Sequence, residues 1–261
     1  MMEMKKRSVW RPQKPMSIGR SRDLKPAPIA ERTAKNQRAS NRPLFFYNKG
    51  DITMAKQISF KTRVKQIAIA ESKKYKDLFI DHQYLICSKK FQKRDYYIIS
   101  GEKDNFLHLV GINTYLSAAA FFDKCYDGTL TEDDFDFNKR GNDENRIKGS
   151  VRRKIRSLER LSTLFQNDLL IEENFRKNNI ACAIATTDKQ ITIGFTEGYL
   201  SRPKTLLKGN ELKTNPLSVD LVLSKKKNEK KFNKIIIGDN TRLKEFSSKI
   251  SQLIEQDLYI G

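Results

Sequence analysis

IKGSVRRKIRSLERLSTLF (residues 147–165), followed by LLIEE (169–173), IACAIAT (180–186) and ITIGF (191–195), is the stretch on which the fold turns. In its first segment Ile147, Val151, Ile155 and Leu158 recur three or four residues apart, and Phe165 extends the series. That spacing predicts a long helix with one buried face. The period then changes from helical to extended, in short β-branched runs broken by turn residues and continued at 219–223 and 235–237. Upstream of the switch the reading is mostly helical. Phe60, Val64, Ile67, Tyr75 and Leu78 predict an amphipathic helix over 56–80, and residues 104–111 a short capped helix ended by Gly111. Residues 114–126 read as a helix that stops at Gly128, while 84–88 and 96–100 read as a hairpin. The polar, Asn/Gly-rich strip 138–150 reads as a loop, and Leu243, Phe246, Ile250, Leu253 and Ile254 mark a last amphipathic helix. Helices followed by a run of strands indicate an α+β fold, with helices packed on a mostly antiparallel sheet of four to five strands.

The chain has 261 residues, with 51 Lys+Arg against 31 Asp+Glu and a formal charge of +20. Only 38% of residues are hydrophobic and the mean hydropathy is −0.65. No apolar run approaches the ~18–20 residues that span a bilayer, and no signal-peptide core follows the basic start, so the expectation is a cytoplasmic protein without a membrane partner. Cys87, Cys125 and Cys182 stand far apart, which indicates neither a disulfide framework nor a zinc knuckle. The two histidines, His82 and His108, are too few for a His-rich metal site. The positive excess favours a polyanionic partner, with nucleic acid ahead of a membrane surface.

Residues 1–53 stand apart, holding five of the seven prolines and 13 Lys/Arg against four acids, without a sustained apolar period. They read as a disordered basic arm, either a nucleic-acid tether or a solvated tail. A third reading is an upstream extension. Lys49-Gly50-Asp51 can be encoded by a string containing a ribosome-binding sequence, about eight nucleotides before the Met54 codon, which would make Met54 a native start. Residues 54–261 form the expected folded domain and still carry 38 bases against 27 acids.

Four groups compete as chemical sites. His108, within Phe106-Leu107-His108-Leu109-Val110-Gly111, is a general acid or base by type; a histidine flanked by leucines is more often a satisfied core or helix residue. Arg202, Lys204, Thr205 and Lys208 fall within the run Tyr199-Leu200-Ser201-Arg202-Pro203-Lys204-Thr205-Leu206-Leu207-Lys208-Gly209, read as a connection between two strands. Together they could hold a phosphate and stabilise charge on its oxygens, or form a solvated β–β connection. Arg152, Arg156 and Arg160 line one side of the helix, with Arg153 beside them, as a phosphate-contacting stripe or an exposed face. Glu132, Asp133, Asp134 and Asp136 suit either a divalent metal or, together with Thr131, the first turn of a helix. The expectation is no metal and no cofactor.

The first two groups, in this order, resemble the phage-type nuclease domains of the barnase–EndoU–colicin–RelE-like class, specifically the fourth phage group. That group carries a Phe-x-His-Leu-x-Gly element after an N-terminal helix and hairpin. Much later comes a Tyr/Phe-x-x-Pro-Arg/Lys-Ser/Thr-Leu-Leu-Lys-Gly-like element between strands. Here they read as residues 106–111 and 199–209, and the likeness covers about 56–240. Ser201-Arg202 places an arginine ahead of Pro203, and Lys204 stands where arginine is frequent. The resemblance implies a metal-independent endoribonuclease in which the ribose 2′-hydroxyl attacks its own phosphate, leaving a 2′,3′-cyclic phosphate. It implies His108 as the acid/base, and Lys204 with Thr205 or Lys208 on the phosphate, assisted by Arg202. RNA is the expected partner, with an inhibitor or immunity protein restraining a toxin-like activity. The rival reading is a non-catalytic protein of a phage or mobile element that binds nucleic acid or a host factor.

Overall fold

The computed structural model describes residues 58–138, 141, 143–166 and 168–259; the basic arm lies outside the described residues. In chain order the elements begin α1 (Phe60–Tyr75), β1 (His82–Cys87), β2 (Tyr96–Ile99), α2 (Lys103–Val110), β3 (Asn113–Thr114), α3 (Ala118–Tyr126), β4 (Phe135–Asp136) and α4 (Glu144–Leu158). They continue with β5 (Leu170–Glu173), β6 (Arg176–Lys177), β7 (Ile180–Ala181), β8 (Ile184–Thr187), β9 (Ile191–Phe195), β10 (Leu200–Ser201) and β11 (Pro203–Lys208). β12 (Leu217–Ser218), β13 (Leu221–Lys226), β14 (Lys234–Ile237) and α5 (Asn240–Ile250) complete the series. The class is α+β, as the change of period predicts. The strands, however, form two five-stranded sheets instead of one, in the orders β10-β2-β1-β13-β14 and β11-β9-β8-β5-β12, with β3-β4 and β6-β7 as separate two-stranded ladders.

The reason for the division lies in which faces are apolar. Along β1, Tyr84 and Ile86 point into the large core shared with α1 to α4, while Leu85 and Cys87 join Leu221, Leu223, Leu243, Phe246 and Ile250 in a second core. The first sheet is therefore buried on both faces, four helices on one side and α5 on the other, and its strands read as continuous apolar runs. The second sheet adds Ile171, Ile184, Ile191, Ile193, Phe195 and Leu206 to the large core. Almost all pairing is antiparallel; among the named strands β10 runs parallel to β2, with Leu200 opposite Ile98, and an isolated parallel bridge joins Phe232 to Ile254.

Helix ends follow the side chains that satisfy them. Ser59 accepts from the Thr62 N–H at α1, Ser117 from the Ala120 N–H at α3, and Asp143 from the Arg146 N–H at α4. Asp143 thereby starts α4 inside the strip read as a loop, and Phe165 falls beyond it, in the turns after a short 3-10 segment. The acidic strip begins no helix. Thr131 donates both its N–H and its hydroxyl to Asp134, which closes a turn into β4. Among the described residues no helix is long and apolar enough to cross a membrane.

Candidate functional site

The run 199–209, read as a connection, is itself two strands. β10 pairs with β2 in the first sheet, and after Arg202 the chain enters β11 at the edge of the second. Between β11 and β9 the register slips: Pro203 faces Phe195 and Thr205 faces Gly194, so Lys204 is an extra residue, a β-bulge. In a regular strand Lys204 and Thr205 would point to opposite faces; the bulge re-aims them so that both reach one cleft. Gly194 contributes by having no side chain, since a Cβ there would lie 3.0 Å from the Thr205 methyl and 2.5 Å from Cys182 Sγ.

That cleft, about 440 Å³, is lined by Leu107, His108, Gly111, Ile112, Asn113, Lys154, Asn179, Ile180, Lys204 and Thr205. His108 is exposed on the last turn of α2, whose opposite face buries Phe106, Leu109 and Val110. Asn105 accepts the Glu102 N–H at the helix start, and Gly111, at φ +80°, donates its N–H to the Leu107 carbonyl at the end. Lys154 of α4 donates its ammonium to the His108 carbonyl oxygen. A lysine on a terminal helical carbonyl satisfies an acceptor the helix cannot and complements the negative end of its dipole. The contact fixes the backbone that carries the imidazole. On the opposite wall the Lys204 ammonium donates to the Ala181 carbonyl at 2.8 Å, which ties it to the β6–β7 hairpin and leaves two N–H donors for a ligand.

His108, Lys204 and Thr205 thus share one cleft, although roughly ninety residues separate the first from the other two. The remaining candidates lie elsewhere. Arg202 lies 3.9 Å from Glu102, at the start of α2, about 9 Å of helical rise from His108. Arg156, Arg160 and Lys208 line a separate cleft of about 620 Å³ with Ser157, Glu159 and Gln190. Arg152 stacks its guanidinium over Phe60, 4.9 Å from the ring centre. His82 sits at the start of β1 with Nδ1 2.6 Å from the Asp77 carbonyl. Lys154, Asn113 and Asn179 were not among the sequence candidates. Lys154 carries no signal of its own within a helix rich in cations, and the two asparagines reach the cleft through tertiary placement of β3 and the β6–β7 turn.

Three of the four acids in the strip are occupied by internal partners, and Asp133 is exposed. Glu132 accepts from the Thr62 hydroxyl, Asp136 from the Asn113 amide, and Asp134 from Lys124, Thr131 and Tyr115. The Lys124 ammonium foremost, with the Thr131 and Tyr115 donors, holds the Asp134 carboxyl well below the usual carboxylate range, against the opposing effect of desolvation. Among the described residues no group of three or more His, Cys, Asp or Glu is arranged to hold a metal ion. All three cysteines are free and buried, and burial pushes the Cys87 and Cys125 thiols up to about 12.

No curated protein and no solved structure matches the chain. A family model does, over residues 67–241, an interval that holds both α2 with His108 and β11 with Lys204 and Thr205. With more than half of its length matched, the chain belongs to the phage-Barnase-EndoU-ColicinE5/D-RelE like nuclease4 family.

Proposed function

We propose that the cleft between α2, α4 and β11 is the active site of a metal-independent endoribonuclease. The observation that carries this reading is the meeting of a solvent-facing imidazole with an ammonium and a hydroxyl on a bulged strand. In the reaction the 2′-oxygen attacks the adjacent phosphorus and the bond from phosphorus to the 5′-oxygen breaks, giving a 2′,3′-cyclic phosphate and a 5′-hydroxyl. His108 handles the protons, accepting that of the 2′-hydroxyl and delivering one to the departing oxygen. Lys204 and Thr205 direct donors at the phosphate oxygens, where charge builds in the transition state. Lys154 is a positioning residue, acting through the His108 carbonyl. An imidazole and fixed cations meet these needs with side chains alone, so the reading calls for no cofactor.

The test is incubation of end-labelled RNA and of DNA of the same sequence in EDTA, followed by end-group analysis. RNA should be cut to cyclic-phosphate ends, and DNA, which lacks the nucleophile, should survive. His108→Ala and Lys204→Ala should each slow cleavage by roughly 10²-fold or more while leaving the thermal transition unchanged, since both side chains are exposed. RNA that is bound but recovered intact would replace the enzyme with a non-catalytic binder.

A further inference from the structure

Among the described residues Lys74, Lys76, Lys89, Lys103, Lys124, Lys148, Lys177, Arg202, Lys227, Arg242 and Lys249 each have an acid within ion-pair distance, while many other exposed lysines and arginines stand apart in solvent. Arg156, Arg160 and Lys208 have none among the described residues, yet they converge on one cleft, with Glu159 as its single acid. Exposed like charges repel, so their convergence costs stability unless an anion relieves it.

The position of this cleft is informative. The same two elements that line the His108 cleft continue into it: α4 from Lys154 to Arg156 and the turn holding Arg160, and β11 from Lys204 to Lys208. Four residues of strand span about 13 Å. At roughly 3.4 Å per stacked nucleotide that distance corresponds to about four nucleotides, and to fewer in an extended strand. Past Gln190, which lines both this cleft and the next, the surface changes sign. The next cleft holds Asp168 and the buried Asp188 against Lys189 alone, so the basic track ends there.

We infer that the Arg156–Arg160–Lys208 cleft is a backbone-phosphate subsite for a single nucleic-acid strand that reaches the His108 cleft along the seam between α4 and β11. The inference deepens the ribonuclease reading and rests on it for the identity of the strand: the substrate is an unpaired RNA segment of several nucleotides, not a dinucleotide. One row of unneutralised cations bounded by acids follows one backbone, whereas a duplex would bring two. The two guanidinium forks grip phosphate oxygens in pairs and Lys208 adds a compact charge.

The experiment measures binding with 2′-O-methyl RNA, which has no attacking hydroxyl and cannot be cut. Fluorescently labelled oligonucleotides of three and of about twelve nucleotides are titrated across a range of salt. The full-length protein is compared with R156A/R160A/K208A and with K230A/K234A/K244A, an equal loss of charge at exposed lysines that line neither cleft. The first triple variant should bind the long oligonucleotide roughly ten-fold or more weaker, and its salt slope should fall by about two. Both triples should bind the trinucleotide alike, and the control should keep the long-probe affinity within about two-fold. Should the first triple fail to fold, R160A and K208A singly carry the same comparison. Equal losses in both triples, an unchanged salt slope, or no binding of the long probe by the parent protein would each overturn the subsite. Since the probe is uncleavable, failure of the EDTA cleavage assay removes the catalytic reading without touching this result.

Discussion

At Gly111 two demands coincide. Its φ of +80° lies in the left-handed region that ends α2, and the Lys154 alkyl chain passes 2.5 Å from where a Cβ would stand. Alanine is strained by the first and displaces Lys154 by the second, moving the ammonium off the His108 carbonyl. Gly111→Ala should therefore cost about 1 kcal/mol or more in urea unfolding and lower the cleavage rate beyond what that loss explains. An unchanged rate in a folded variant would show that Lys154 does not position the imidazole. Asp134 governs a different property. Its folded-state carboxyl is held below the ordinary 3.8, so its stabilisation is full above that value and is lost as pH falls through the folded one. Asp134→Asn should be less stable at pH 7, and its stability should decline more gently below about pH 4 than the parent's. Urea midpoints measured from pH 7 down to pH 3 decide this, and parallel curves would refute the linkage.

Elements with a strong apolar period were legible in the sequence, and those set by pairing were not. α4 and β9 follow directly from residues 147–158 and 191–195, because burial of one stripe or of a whole strand leaves its pattern in the chain. The two-sheet arrangement was not readable: β1 and β13 are apolar on both faces for two different cores, and alternation cannot say which partner covers which face. β11 reads as a connection in the sequence because Arg202, Pro203, Lys204 and Lys208 look like turn chemistry; a proline at the first residue of an edge strand is permitted, and cations there discourage stray pairing. The pairing of His108 with Lys204 came from the resemblance and not from any spacing. The bulge that aims Lys204 depends on Gly194 across the ladder. Gly194→Ala should push against Cys182 and the Thr205 methyl, costing about 1–3 kcal/mol by overpacking. It should also slow cleavage by displacing the Thr205 hydroxyl. Unfolding midpoints and single-turnover rates read the two effects separately, and a destabilised variant with the parent's rate would detach Thr205 from the chemistry.

For the molecule as a whole, the charge of +20 and the position of the imidazole make separable contributions to one outcome. Attraction to phosphate is blind to the sugar, because lysine and arginine contacts to the backbone carry no information about a 2′-hydroxyl. In the proposed reaction, discrimination between RNA and DNA then falls on the chemical step alone, where DNA offers no nucleophile. Single-stranded DNA should accordingly occupy the same track and compete with RNA, raising the apparent KM for RNA cleavage without changing kcat. Competition should weaken steeply as salt rises, because the inhibitor's affinity is almost wholly electrostatic. R156A/R160A/K208A should be inhibited less by a long DNA strand than the parent is, while inhibition by a trinucleotide should be equal in both. Steady-state cleavage of RNA in EDTA, with DNA titrated at two salt concentrations, measures all of this. Failure of DNA to inhibit at low salt would mean that the sugar is read on binding, which phosphate contacts cannot do, and would move the origin of specificity from the reacting hydroxyl to groups that line the cleft.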